Sequence, residues 1–115
     1  MVRKIYLTSE CIEFLESLDS RGKKKFLQIM EVLLEIPIVH THFLKKLTNT
    51  RLYELRIRSG LEYRLILKSL DHDDFNQCTK AVCIHGFMKK ATKEYRKEIS
   101  RANRILMEWQ RQHES

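Results

Sequence analysis

Arg56 and Arg64 sit in a segment whose alternation sets them opposite each other and makes them candidates to hold a phosphate. From Leu52 to Lys68 the chain reads LYELRIRSGLEYRLILK. Tyr53, Leu55 and Ile57 alternate with Glu54, Arg56 and Arg58. Leu61, Tyr63, Leu65 and Leu67 alternate with Glu62, Arg64, Ile66 and Lys68. Period-two alternation marks strands with one buried and one open face. For both apolar sets to share a face, the numbers of paired residues must sum to an even value. A two-residue Ser59-Gly60 turn fails that condition. A three-residue loop, Ser59-Gly60-Leu61, meets it, with Gly60 supplying the left-handed position. This register pairs Arg58 with Glu62 and sets Arg56 across from Arg64. Like charges placed opposite each other destabilise a sheet unless an anion lies between them, and a guanidinium can grip two phosphate oxygens at once.

The rest of the chain must position that hairpin. Arg3 to Leu7 reads as a first strand, and Thr8 or Ser9 offers an N-cap with Glu10 in the first turn. Cys11, Phe14, Leu15 and Leu18 follow at helical spacing. After Asp19-Ser20-Arg21-Gly22, a second helix carries Phe26, Ile29, Met30, Leu33 and Leu34 on one face, and Pro37 ends it. Residues 38 to 51 read as irregular. Asp71-His72-Asp73-Asp74 is a polar turn, and Ala81 to Met88 is another strand. Thr92 caps a last helix with Tyr95, Ile99, Ala102, Leu106 and Trp109 on a narrow apolar seam. The predicted order is strand, two helices, three strands, helix. This is one α+β domain over residues 1–115, with a small, mostly antiparallel sheet and its helices grouped on one face.

Composition fits an anionic partner. The 115 residues carry 22 Lys and Arg against 15 Asp and Glu, a formal charge of +7. Such a balance favours nucleic acid or an acidic protein and says nothing about fold. No apolar run approaches the length of a membrane span, and the first residues lack a signal peptide's apolar core, so a cytoplasmic protein is expected. Three cysteines without metal-site spacing suit a reducing compartment. His40, His42, His72, Asp71, Asp73 and Asp74 match no recognised metal site, so neither metal nor other cofactor is expected.

Five segments in order carry a family resemblance: Lys45-Lys46-Leu47, Leu52-Tyr53-Glu54-Leu55-Arg56, Tyr63-Arg64-Leu65, His85-Gly86-Phe87-Met88-Lys89-Lys90, and the helix with Glu98-Ile99 and Ala102. Together they resemble the RelE/ParE toxin superfamily, and within it the phage-derived HigB-like branch of type II toxin–antitoxin systems. That resemblance implies a RelE-like fold and a metal-free, ribosome-dependent mRNA endonuclease. It also implies a cognate helix-turn-helix antitoxin, HigA-like, as the partner that silences it. Cleavage without metal needs cations around the phosphate, a base for the 2′-hydroxyl and an acid for the leaving oxygen. Arg64 is the first choice for the phosphate clamp, with Arg56 beside it. Lys89 and Lys90 follow the strand where the superfamily carries a basic catalytic residue. Glu54, His85 and Tyr95 are the candidates for proton transfer. Free Glu titrates near ~4.3, His near ~6.5 and Tyr near ~10, so Glu and Tyr need perturbing. Lys45, Lys46, Arg58 and Lys93 would steer RNA. Glu54 stands where some relatives carry lysine, and Tyr95 matches the family's C-terminal tyrosine only with a changed turn length.

Plainer readings stand beside these. Arg56 and Arg64 can form a surface ladder with Glu54 and Glu62. His85 can be a buried, hydrogen-bonded strand histidine, and Tyr95 and Trp109 can be core aromatics. At the level of function, the alternatives are a ParE-like inhibitor of DNA gyrase and a non-catalytic binding protein on the same fold.

Overall fold

Capping side chains define where the N-terminal elements begin. In the computed structural model, which describes residues 1–40, 42–89 and 95–113, β1 spans Lys4–Leu7 and α1 Ser9–Ser17. The Thr8 hydroxyl accepts from the Cys11 amide at 3.0 Å and starts α1. Asp19 does the same for α2, Ser20–Glu35, accepting from Gly22 at 2.7 Å. That helix stops just before Ile36-Pro37, where the ring forbids another turn. Strands β2 (Leu44–Lys46), β3 (Tyr53–Ser59), β4 (Leu61–Ser69) and β5 (Lys80–Met88) follow, and then α3, Tyr95–His113. A 3₁₀ turn, Phe75–Gln77, interrupts the β4–β5 connection.

The sheet order is β1-β5-β4-β3-β2, with only β1–β5 parallel, as an α+β domain with a mostly antiparallel sheet requires. The β3–β4 register is the expected one. Arg56 faces Arg64, Arg58 faces Glu62, and Gly60 turns the loop at φ 89°.

Two expectations are corrected. Residues 38 to 51 are not wholly irregular, because Leu44–Lys46 pairs with β3 as a short edge strand. Three residues are too few for alternation to be legible. The helices also do not share one face. Helices α1 and α2 cover Leu55, Ile57, Leu65, Leu67, Ala81 and Cys83. Helix α3 covers Ile66, Val82 and Ile84 on the other side, through Ile99, Ala102, Leu106 and Trp109. Thr92, assigned as the cap of α3, lies outside the described residues.

A β-bulge gives β5 its use of both faces. Ile66 pairs with His85 and Leu67 with Cys83, so Ile84 has no partner across the ladder. The extra residue reverses the alternation beyond it. His85 and Phe87 turn to the α3 side, opposite Ile66 and Arg64, and Gly86 turns to the α1 side, opposite Leu65. Thr8 fixes the bulge, because its hydroxyl donates to the freed Ile84 carbonyl while its amide bonds Cys83 O at 3.2 Å. Gly86 must lack a side chain, since a Cβ there would lie 2.4 Å from the Phe14 ring.

The largest fully buried side chain is a charged one. Arg3 is 2 % exposed, has no carboxylate partner among the described residues, and donates to five carbonyls. Its Nη1 reaches Leu33 O at 2.9 Å and Ile36 O at 2.7 Å, and Nη2 reaches Pro37 O. Nε reaches Phe75 O at 3.2 Å, while Nη2 also approaches Asn76 O at 3.5 Å. The C-terminus of α2, rich in unpaired carbonyls, and the 3₁₀ turn are tied through this one residue to the start of β1. Arg3→Met should lower stability by about 3 kcal/mol or more, since it strands several buried acceptors at once; urea unfolding measures it. Gly86→Ala should cost about 1–3 kcal/mol by overpacking against Phe14, with the loss read from the same transition.

Candidate nucleic-acid interface

The α3-side face of the hairpin is left open toward β2, and its charged residues fall into rows across the sheet. One row runs Lys45, Glu54, Ile66, His85; the next runs Arg56, Arg64, Phe87. Beyond them Arg58 faces Glu62, whose carbonyl accepts the Lys89 amide at 2.9 Å. A cleft of about 300 Å³ opens here, lined by Lys45, Lys46, Leu47, Thr48, Glu54, Arg56, Arg64, Lys89 and Tyr95. Five cationic side chains therefore surround a single carboxylate, Glu54.

The two opposed arginines are not equivalent. Arg56 is exposed, and no carboxylate of the described residues lies within ion-pair distance of it. Arg64 is 2 % exposed and held between two acids. Its Nε is 2.8 Å from Glu54 Oε1 and its Nη1 is 2.9 Å from Glu62 Oε1. Both distances suit hydrogen bonds, yet Nε and Nη1 have no aligned acceptor, so charge rather than directed hydrogen bonding holds these pairs. The ladder reading thus holds for Arg64 and fails for Arg56. An anion does lie beside the repelling pair, and the protein supplies it.

The carboxylates respond in opposite senses. Burial raises the pKa of Glu54, against the lowering fields of Arg64, Arg56, Lys45 and Lys89. Glu62 is lowered, chiefly by its contact with Arg64.

The other expected residues divide. Glu54, Tyr95, Lys45, Lys46 and Lys89 all line the cleft with the arginines. Tyr95 is also packed edge-on against Phe87, with ring centroids 5.6 Å apart, so it is both core and cleft wall. Arg58 lies outside the cleft lining, 3.3 Å from Glu62. His85 is not brought to the cleft. It is 1 % exposed behind Phe87, and its Nε2–H donates to the Glu98 carbonyl at 3.2 Å, which anchors α3 to β5. Burial lowers its pKa and keeps it neutral. Lys90 and Lys93 lie outside the described residues. Trp109 packs on Tyr6 at 5.6 Å.

The sequence reading has Glu62 as a partner of Arg58 and as a rung of a ladder with Arg56 and Arg64, but not as the meeting point of three cations. A groove of about 730 Å³ between α2 and the β2–β3 edge was not foreseen. Ile29, Val32, Leu33, Val39, Phe43 and Leu55 supply its apolar lining, and Lys25, His40, His42, Lys45, Arg56 and Arg58 line it as well. Among the described residues no three His, Cys, Asp or Glu side chains group to hold a metal, and no helix is long and apolar enough to cross a membrane.

No curated protein matches the chain significantly. Among solved structures, a double mutant of the E. coli toxin RelE in the free state superposes with a TM-score of 0.60 at 18% identity, covering 88% of this chain and 98% of that one. A chain of the intact E. coli RelBE toxin–antitoxin complex gives 0.59 at 17% identity, covering 77% of this chain and 99% of that one. At such identities the likeness establishes the fold. A family model, Phage derived protein Gp49-like (DUF891), matches residues 13–107. The chain therefore belongs to the phage-derived Gp49-like (DUF891) family and has the RelE fold.

Proposed function

We propose that this protein is the toxin of a type II toxin–antitoxin system, of the HigB-like branch, and cleaves mRNA on the ribosome without a metal. The single observation behind this reading is the cleft in which five cations surround one buried carboxylate of raised pKa. Arg56, Arg64 and Lys89 would bind the scissile phosphate and offset the charge that builds on its oxygens as the 2′-hydroxyl attacks. Lys45 and Lys46, with Arg58, Lys90 and Lys93, would guide the RNA backbone. Glu54 would take the proton from the 2′-hydroxyl. Its raised pKa makes it a better base than a free glutamate, and its cationic neighbours act against that rise. The P–O5′ bond then breaks as the 2′,3′-cyclic phosphate forms. Tyr95, on the cleft wall among cations, is the candidate to protonate the departing 5′-oxygen. His85 would serve α3 anchoring rather than proton transfer.

The partner reading follows from the second depression. RelE is solved in complex with its antitoxin RelB and with an antitoxin peptide. In this chain the groove beside α2 is apolar with cations around it, which suits an acidic, amphipathic antitoxin segment. Lys45 and Arg56 line both groove and cleft, so a segment seated in the groove would draw them from RNA.

Arg56→Ala is the clean test, because that side chain is exposed and carries no fold contact of note. Cleavage of mRNA on programmed ribosomes should fall about 100-fold with an unchanged melting curve; full cleavage would remove Arg56 from the mechanism. Arg64→Ala should also abolish cleavage, but it should cost about 3–5 kcal/mol as well, since Glu54 is left buried without its cation. The pH profile tests Glu54. A base must be ionised, so the rate should drop as pH falls through its raised pKa. Glu54→Gln should lose both that acid limb and most of the rate. Inhibition of gyrase supercoiling by stoichiometric protein, with mRNA left intact, would favour the ParE-like alternative instead.

A further inference from the structure

Glu62 gathers three cations from three parts of the sheet. Its Oε1 lies 2.9 Å from Arg64 Nη1 on β4 and 3.3 Å from Arg58 Nε on β3, and its Oε2 lies 3.8 Å from Lys89 Nζ after β5. The backbone bond from Lys89 N to Glu62 O fixes the last of these partners beside it. Convergence of two guanidinium groups and an ammonium on one pair of oxygens is the arrangement that binds a phosphate's oxygens.

Glu62 also differs from Glu54 in its freedom to leave. The Glu54 side chain is 5 % exposed and flanked by neighbouring strands, whereas that of Glu62 is 29 % exposed near the hairpin end. Arg64, meanwhile, keeps two buried N–H groups without an aligned acceptor. A carboxylate that satisfies the charge of Arg64 but not its directed donors is an incomplete ligand. A tetrahedral phosphate, with more acceptor directions, can complete the set.

We propose that the Glu62 carboxylate is an internal stand-in for an RNA backbone phosphate, occupying the anion site of Arg58, Arg64 and Lys89 in the free protein and swinging out when RNA arrives. The ligand class rests on the nucleic-acid reading of the cleft; the exchange itself rests on the three contacts. The observed affinity is then a difference between two anions for one site. The free protein holds Arg64 in place, and polyanions that cannot displace the carboxylate are turned away.

The probe is a short single-stranded 2′-O-methyl RNA, which cannot be cleaved, so the readout is independent of catalysis. Glu62→Gln keeps the shape and removes the charge. It should bind this RNA about tenfold more tightly at low salt, with a log–log salt slope steeper by up to about 0.7, because no displaced carboxylate takes up a cation against the one that the phosphate releases. A merely structural Glu62 would not change that slope. In the unsubstituted protein, saturation with the RNA should move the Glu62 carboxyl ¹³C resonance toward its solvated position and shift the Arg64 Nε–H signal. Equal affinity and slope in Glu62→Gln, or a Glu62 resonance that stays fixed at saturation, overturns the proposal. Displacement of Glu62 without any mRNA cleavage would sustain it and remove the nuclease reading. Normal cleavage with a fixed Glu62 resonance would do the reverse, and no RNA binding by either protein would overturn the exchange while leaving the nuclease reading to the ribosome assay.

Discussion

An enclosed guanidinium needs either a full set of carbonyl acceptors, as Arg3 has, or carboxylates, and the open face of this sheet is organised around meeting the charge of Arg64 with carboxylates. Glu54 reaches it from β3 and Glu62 from its own strand. Taking Arg64 and Glu54 out of water is costly, and apolar side chains of similar volume would pack as well or better. Stability does not explain the arrangement; position does. Held from two sides, Arg64 has one orientation, and the exposed Arg56 opposite it is left as the free half of the pair. Burial divides the two glutamates: it raises the carboxyl pKa of Glu54 against the field of the cations, while the more open Glu62 is lowered by its contact with Arg64.

The bulge at Ile84 lets one strand serve both the core and the cleft. Before it, Cys83 faces the α1–α2 layer; after it, Gly86 does, and Phe87 is delivered beside Arg64. Without the extra residue, His85 and Phe87 would be driven into Phe14, and α3 would lose its anchor. A single hydroxyl, that of Thr8, both caps α1 and satisfies the carbonyl that the bulge releases. The cleft thus depends on a contact on the far side of the sheet.

The hairpin was legible because alternation over two long strands, with one glycine between them, admits one register. The helices were legible from spacing, the Thr8 cap and Pro37. Which face α3 covers was not, since its seam reads the same on either side and only the bulge decides. Strand β2 was too short to carry a period. Residue types named the members of the cleft well, because the exposed face of a strand collects side chains by parity alone. They did not give burial. Arg64 and Arg56 look identical in sequence, and only tertiary packing makes one a fixed post and the other a free hand. The withdrawal of His85 behind Phe87 has the same origin.

Strand β1 pairs with β5 alone, and Arg3 joins it to carbonyls as far along the chain as Asn76. Strand β1 therefore has nowhere to dock until β5, some seventy residues further along, has been made. Contacts of such sequence separation are slow to close, so the β3–β4 hairpin, whose partners are near neighbours, forms ahead of them. Emerging helices α1 and α2 must wait with their apolar faces uncovered, which is a period of exposure to aggregation. A chain interrupted before β5 would lack the strand that joins β1 to the rest of the sheet, along with Lys89 and Tyr95. Truncated products of synthesis would accordingly lack both a closed sheet and a complete cleft.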